Sequence, residues 1–471
     1  MEKRPLPDSN RQWLLDELNL WRRLGLVNED QVNGIVDLYE TPTQSAERRQ
    51  STAIYLLVGV SACFVGLAVL LLVAYNWTLL PDAIKLFLLL IAVGGAHALG
   101  YSLRYLWDAK NFSESAFFLG CLFYGGSIWL IADIFHLGSH YPDGIWWWAV
   151  GVVPLAFFLD TIFLHMLAVT LLAAWVGTEL IGFHGGVPGA FGLPRACWTL
   201  PILAGLGFFW SYQKKSTSTL GLYVPLAAWW LALVPLAWSG LARENPILYI
   251  GGIGALLLIL AEVHPEGSLF AVPYRLYGSL VCIGVLTTLS FFEVQREFRH
   301  IHDLGVFVGL SVGITALALG AFGVAAAMHT PADDEATLDR PLMVFVTRQW
   351  LPLAMAGLML FMALWYAALK NAAGNNDAFV AAVPTVLANV GMIGLAFWLM
   401  MLGLREDRGF PSGGGVLFFL VWSVCRYTEW FSDHGGLLGG ACMFFLCGAA
   451  IFGFAMFWHY RKKQRETSDG E

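Results

Sequence analysis

The feature that most constrains this chain is a series of continuous apolar runs between residues 51 and 459. Each is about 20 residues long, and a helix of that length matches the roughly 30 Å hydrocarbon core of a bilayer. Because the runs are continuous rather than alternating, they predict helices and not membrane strands. Only 13% of the residues are charged, about half the share that is usual in soluble domains. The sequence therefore predicts an all-α, polytopic transmembrane helical bundle.

About fourteen spans, with a margin of two, follow from these runs. They are 51–74, 83–103, 115–135, 145–159, 161–181, 197–212, 219–239, 246–262, 270–292, 304–328, 348–369, 378–402, 415–430 and 437–459. Residues 1–50 precede them and predict a short cytoplasmic helical hairpin. The rest of the chain divides into a transmembrane core (51–181), a C-terminal transmembrane region (182–460) and a tail (461–471) that is basic and then acidic.

The predicted hairpin carries local signals for helix ends. Apolar residues recur at helical spacing from Asn10 to Leu24 and predict the first helix. Gly25 then suits the left-handed position that commonly ends a helix. Asn28 and Gln31 have the spacing of a capping box and predict the start of the second helix.

Lysine and arginine near the span ends predict the orientation of the chain. The N-terminal arm, the loop after the second span, the linker after the sixth and the tail carry basic residues, whereas loops 75–82 and 136–144 carry none. Basic residues concentrate on the cytoplasmic side, so both termini are predicted to be cytoplasmic. Arg296 and Arg299 depart from this rule, because strict alternation places them outside unless a short run within 246–430 fails to span.

Several dispersed motifs occur in order in the first third of the chain. They are the segment from Trp21 to Tyr39, the pairs Asn76-Trp77, Pro81-Asp82 and Lys85-Leu86, and the stretch GGSIWLIADIFH at Gly125–His136. Together they resemble the DUF2157 family of predicted bacterial membrane proteins over roughly residues 11–180. The resemblance implies a bacterial inner-membrane location, and it implies no activity, substrate or cofactor.

Polar side chains within or beside the spans are the candidates for a functional site, because burying them in a bilayer is costly. The predicted substrate- or proton-binding candidates are Asp133, His136, His97, His165, Glu179, Asn76 and Asp82. The predicted topology puts His97 and His165 within spans and the others near the outer face. A lone histidine in a span is more commonly bonded to a neighbouring helix than part of a proton relay.

A metal site is an alternative for part of this set. If the helix of the third span continued through His140, then Asp133, His136 and His140 would share one face, and such ligands suit zinc. Gly138 and Ser139 disfavour that continuation. The sequence therefore favours interfacial solvation or a polar vestibule over a metal centre.

Two further patterns concern helix contacts. Arg426 and Glu429 are three residues apart and predict a local ion pair near a span end rather than a site. Gly309 and Gly313 have the small-xxx-small spacing that lets membrane helices approach closely.

Three functions remain open at this stage. The first is a transporter or flippase, the second is an envelope sensor or scaffold, and the third is a membrane-embedded metalloenzyme that uses residues 133–143. The second would bind a protein partner, or a further copy of the chain, through residues 1–50. No nucleotide-binding, hydrolase, metalloprotease or haem motif is present, so no cofactor is predicted and a non-enzymatic role is favoured. The predicted surroundings are the lipid bilayer, and the diffuse net charge of −7 suggests no nucleic-acid partner.

Overall fold

The structure is a computed structural model, and it describes most of the chain. The described residues are 8–39, 81–136, 141–182, 195–237, 246–265, 268–297, 304–329, 350–369, 377–405 and 409–431, with isolated residues in 57–71 and at 445 and 448. The first and last predicted spans, 51–74 and 437–459, therefore lie almost wholly outside them. The regular elements of the described residues are helices, which confirms the all-α prediction.

The helices are numbered here in chain order. They are α1 (Asp8–Arg23), α2 (Glu29–Val36), α3 (Asp82–Tyr105), α4 (Lys110–Ile134), α5 (Tyr141–Leu159), α6 (Ile162–Gly177), α7 (Ala196–Gln213), α8 (Thr217–Ala237), α9 (Ile247–Ala261), α10 (Ala271–Leu289), α11 (Phe292–Glu297), α12 (Leu304–His329), α13 (Trp350–Leu369), α14 (Asp377–Arg405) and α15 (Gly409–Phe431). A π-helical turn, Thr178–Gly182, follows α6.

Among the described residues, nine helices are long and apolar enough to cross a membrane: α3, α4, α5, α6, α8, α10, α12, α13 and α14. Each corresponds to a predicted span, so the chain is a multi-pass membrane protein. The apolar helix α9 has 15 residues and is about 22 Å long, which is shorter than a bilayer core. It matches the run at 246–262.

The helix-end signals predicted in the N-terminal arm are present. Gly25 has a φ of 71°, and the Leu26 amide donates to the Trp21 carbonyl at 2.9 Å, as in a Schellman motif. Asn28 Oδ1 accepts from the Gln31 amide at 2.8 Å, and Gln31 Oε1 accepts from the Asn28 amide at 2.9 Å. This reciprocal pair is the predicted capping box.

The chain forms two compact units, residues 1–168 and 169–471. In the first unit, α3 packs on α4 and α4 packs on α5. Aromatic rings of α4 and α5 lie directly on glycines of the other helix: a Cβ on Gly125 would be 2.0 Å from the Trp148 ring, and one on Gly151 would be 2.3 Å from Tyr124. Trp148 also donates from Nε1 to the Cys121 carbonyl at 2.9 Å. Trp148 thus packs between α4 and α5.

In the second unit, α9 is the central helix. Residues 251–259 are all buried, because α10, α12 and α13 surround them. Gly251, Gly252 and Gly254 allow this, since a Cβ on each would lie within 2.8 Å of a side-chain atom of α13, α12 and α10 respectively. Small residues let membrane helices approach in this way.

The close helix contacts fall at glycines other than those the spacing indicated. No described atom lies within 4 Å of a Cβ placed on Gly309 or Gly313. By contrast, a Cβ on Gly278 would meet the Leu258 amide nitrogen at 2.9 Å. The prediction of tight packing at Gly309 and Gly313 is therefore not met within the described residues.

Candidate functional site

Three of the polar residues predicted at the outer face of the first unit, Asp82, Asp133 and His136, are exposed in the structure. Asp82 is exposed at the start of α3 and accepts from Lys85 Nζ at 2.9 Å. Asp133 and His136 are also exposed. Helix α4 ends at Ile134, and His136 has a φ of 49°, so the helix does not continue on through it.

The predicted metal set is only partly described. The described residues contain no group of three His, Cys, Asp or Glu side chains that could hold a metal ion. His140 and Asn76 lie outside those residues, so both stay predictions.

His97 fills the contact between α3 and α4. A Cβ on Gly120 would lie 2.6 Å from its ring, and its Nδ1 is 2.8 Å from the Val93 carbonyl oxygen. The Phe117 ring approaches edge-on, with 6.1 Å between ring centroids. These contacts indicate that His97 packs between α3 and α4 and forms a hydrogen bond within α3.

His165 is almost wholly buried, with 1% of its surface exposed. Its Nε2 lies 3.8 Å from Asp160 Oδ1, and the Phe157 ring meets it edge-on at 5.2 Å. Asp160 lies in the junction between α5 and α6, and His165 is in the first turn of α6. This arrangement places an imidazole next to a carboxylate at a helix end.

Glu179 is a buried carboxylate of the second unit, with 2% of its surface exposed. It lies in the π-helical turn after α6, and its Oε1 is 3.9 Å from Arg195 Nε. The Arg195 guanidinium in turn lies 5.8 Å from the centre of the Trp175 ring. Proteins often place π-helical turns at functional sites, so Glu179 remains a candidate.

A larger polar cluster of the second unit surrounds the junction between α10 and α11. We call it the Arg426 cluster, and its members are Ser290, Gln295, Tyr366, Asn389, Trp422 and Arg426. They come from α11, α13, α14, α15 and the α10–α11 junction, so five parts of the fold converge there. None of these residues is among the site residues predicted from the sequence.

Arg426 is completely buried. Its two terminal nitrogens donate to the Ser290 carbonyl oxygen and to Ser290 Oγ, both at 2.9 Å. The guanidinium carbon also lies 5.0 Å from the centre of the Phe291 ring. A positive charge at the C-terminal end of a helix interacts favourably with the helix dipole, so Arg426 stabilises the end of α10. The side chain of Glu429, the partner predicted for Arg426 from the sequence, lies outside the described residues, so that ion pair stays a prediction.

Asn389 connects this helix end to α15. Its Nδ2 donates to the Ser290 carbonyl at 3.2 Å and to the Thr385 carbonyl at 2.8 Å. Its Oδ1 accepts from Trp422 Nε1 at 2.9 Å. The Ser290 carbonyl thus receives donors from both α14 and α15.

Gln295 and Tyr366 complete the cluster on the other side of the junction. Gln295 Nε2 donates to the Leu289 carbonyl at 2.6 Å, and the Tyr366 hydroxyl donates to Gln295 Oε1. Both side chains are buried. The Leu289 and Ser290 carbonyls, at the end of α10, therefore accept hydrogen bonds from side chains of other elements.

The cluster lies well inside the span of α14. Asn389 is twelve residues after Asp377, the first residue of this helix, which is about 18 Å along its axis. The end of α10 therefore meets α14 near the middle of the span Ala378–Gly403. Two other spans end at the cluster: Ser290 directly follows α10, which is long enough to cross a bilayer by itself, and Tyr366 lies three residues before the end of α13.

One sequence signal for this cluster exists. Arg426 ends the apolar run VLFFLVWSVC, and an arginine there is costly unless the fold supplies partners. Its partner Ser290 is 136 residues away in the chain, and no local pattern indicates that pairing.

Comparison with known families bears on the first unit. Residues 19–165 match the DUF2157 family, which is described as a predicted membrane protein. This confirms the resemblance seen in the sequence motifs, and the Arg426 cluster lies outside the matched residues. No curated protein and no solved structure matches the chain.

Proposed function

We propose that the protein is a membrane transporter in which the α10–α11 junction is the gating element. The observation that carries this proposal is a wholly buried arginine that holds a helix end inside an apolar bundle. Arg426 and Asn389 bond a backbone carbonyl just beyond the end of α10, and transporters use freed carbonyls at helix ends to contact the substrate or a coupling ion. Ionisable residues inside a span are costly and are functional by default.

The chemistry of the cluster suits a reversible closure. The Ser290 carbonyl takes bonds from Arg426 and Asn389, which lie on two different helices. A movement of α10–α11 relative to α14 and α15 exchanges these bonds for bonds to water or substrate. Glu179, paired with Arg195 at the predicted outer end of the same unit, is the proposed acidic partner in proton coupling.

The same proposal puts the chain in a bacterial inner membrane with both termini in the cytoplasm. The distribution of lysine and arginine near the span ends supports that orientation, and the DUF2157 match supports the membrane assignment.

Distance measurement by pulsed electron spin resonance tests the proposed movement. Spin labels at positions 293 and 378, both exposed in the structure, report the separation of α11 from the start of α14 in a background without other cysteines. The proposal predicts two interconverting distance populations in lipid bilayers, with proportions that change with pH. A single narrow population that is the same from pH 5 to pH 8 would count against it. A control pair at positions 378 and 386, both exposed on α14, should give one distance throughout.

A further inference from the structure

The charge of helices α7 and α8 is concentrated in the turn between them. Residues 196–237 contain two charged side chains, Lys214 and Lys215, and both are basic. Both are exposed in the structure, and the Lys214 ammonium lies 5.0 Å from the centre of the Trp210 ring. This end of the helix pair therefore presents positive charge to its surroundings.

Hydrogen bonds fix the backbone of this turn. The Ser216 amide donates to the Ser211 carbonyl at 2.9 Å and the Lys215 amide to the Tyr212 carbonyl at 3.2 Å, and Lys215 has a φ of 53°. These are the features of a Schellman motif at the end of α7. Ser216 Oγ then accepts from the Thr219 amide at 3.2 Å and caps the start of α8.

Tyr212 also joins the end of α7 to the neighbouring helices. Its hydroxyl is 2.7 Å from His264 Nε2, just after α9, and 3.2 Å from the Tyr274 hydroxyl of α10. Its ring stacks on Phe270, with 5.2 Å between the ring centroids. The two lysines are therefore attached to a turn that the surrounding helices hold in place.

Helix α7 presents an exposed apolar ridge on its outer face. Ile202, Leu206 and Phe209 recur at helical spacing, and at least half of each is exposed. A Cβ on Gly205, beside them, would meet no atom within 4 Å. The inner face is packed instead, since a Cβ on Gly207 would lie 2.2 Å from the Tyr223 ring of α8. The ridge is thus open to the hydrocarbon core of the bilayer.

The ridge and the turn follow one another in the order that a phospholipid requires. Trp210 and Tyr212 come between them, and tryptophan and tyrosine are enriched at the level of the headgroups. Basic side chains near this level attract anionic lipids, and each contributes about fivefold in affinity. An acyl chain fits the apolar ridge, and an anionic headgroup fits the two lysines.

We propose that the α7–α8 turn is a binding site for an anionic phospholipid. The Lys214 and Lys215 ammoniums contact its phosphodiester group, and an acyl chain lies on the ridge beside Gly205. The predicted orientation puts this turn on the cytoplasmic side of the membrane. The inference goes beyond the transport proposal and does not depend on it.

Lipid binding to the purified full-length protein tests the headgroup contact. Native mass spectrometry compares the affinities for phosphatidylglycerol and for phosphatidylcholine with the same acyl chains. We expect phosphatidylglycerol to bind at least about fivefold more tightly, K214Q/K215Q to abolish this preference, and K214R/K215R to retain it. Equal affinities of the two lipids for the unsubstituted protein would overturn the proposal.

A matched control distinguishes a site from general attraction to positive charge. K462Q/K463Q removes an adjacent lysine pair from the tail and should leave the preference for phosphatidylglycerol unchanged. An equal loss in K462Q/K463Q and K214Q/K215Q would refute a site at the turn.

Two further measurements test whether the ligand is a lipid. G205L places a side chain in the open space beside the ridge and should weaken the binding of both lipids several-fold; unchanged binding would contradict the proposed acyl-chain contact. Inorganic phosphate in large excess should not displace phosphatidylglycerol, because it has no acyl chain. Displacement would identify a small-anion site and overturn the lipid proposal.

Discussion

Replacement of Asn389 by leucine tests whether the Arg426 cluster is one energetic unit. The substitution keeps the side-chain size but removes the acceptor of Trp422 Nε1 and one of the donors to the Ser290 carbonyl. Interhelical hydrogen bonds in membranes contribute roughly 0.6 kcal/mol each, and an orphaned indole N–H adds about 1 kcal/mol. We therefore expect N389L to lower the free energy of unfolding by about 2 kcal/mol.

A double-mutant cycle separates these contributions. In W422F the indole N–H is absent, so N389L should then cost only about 1 kcal/mol, which gives a coupling of about 1 kcal/mol between the two positions. Equilibrium unfolding of the purified protein in mixed micelles, followed by tryptophan fluorescence, supplies the four free energies. Additive effects of the two substitutions would refute the connected network.

Two further predictions concern packing and ion pairs. G125V should destabilise the first unit by at least about 2 kcal/mol, because the new side chain overlaps the Trp148 ring. The control G94V meets open space and should cost less than about 1 kcal/mol. Equal losses of folded protein in detergent for the two variants would contradict this. E262Q breaks a partly buried ion pair with Arg275 and should lower the free energy of unfolding by about 1 to 2 kcal/mol. E293Q breaks an exposed pair with Arg296 and should lower it by less than about 0.5 kcal/mol. Equilibrium unfolding in mixed micelles distinguishes the two variants.

The helices and their ends could be predicted because their causes are local. Apolar length alone determines which segments cross a bilayer, so the run at 378–402 predicted α14, which spans Asp377–Arg405. The left-handed Gly25 and the Asn28 capping box depend on neighbours within four residues. Both could be predicted from the sequence for that reason.

The site could not be predicted because its contacts join distant parts of the chain. Arg426 and Ser290 are 136 residues apart, and Tyr212 and His264 are 52 apart. His97 and His165 were selected because ionisable residues within spans are costly, yet the structure gives His97 a packing contact with Gly120. Burial cost identifies residues that need partners, while helix packing decides which partners they find.

The central claim is that water reaches the α10–α11 junction inside the bundle. Positions 290 and 392 are both completely buried in the structure. A single cysteine is introduced at each, and intact cells and inverted vesicles are treated with a small membrane-impermeant thiol reagent. The account predicts labelling at position 290, from both sides if the junction opens alternately, and none at position 392 in the apolar core. Protection of position 290 from both sides under every condition would contradict it.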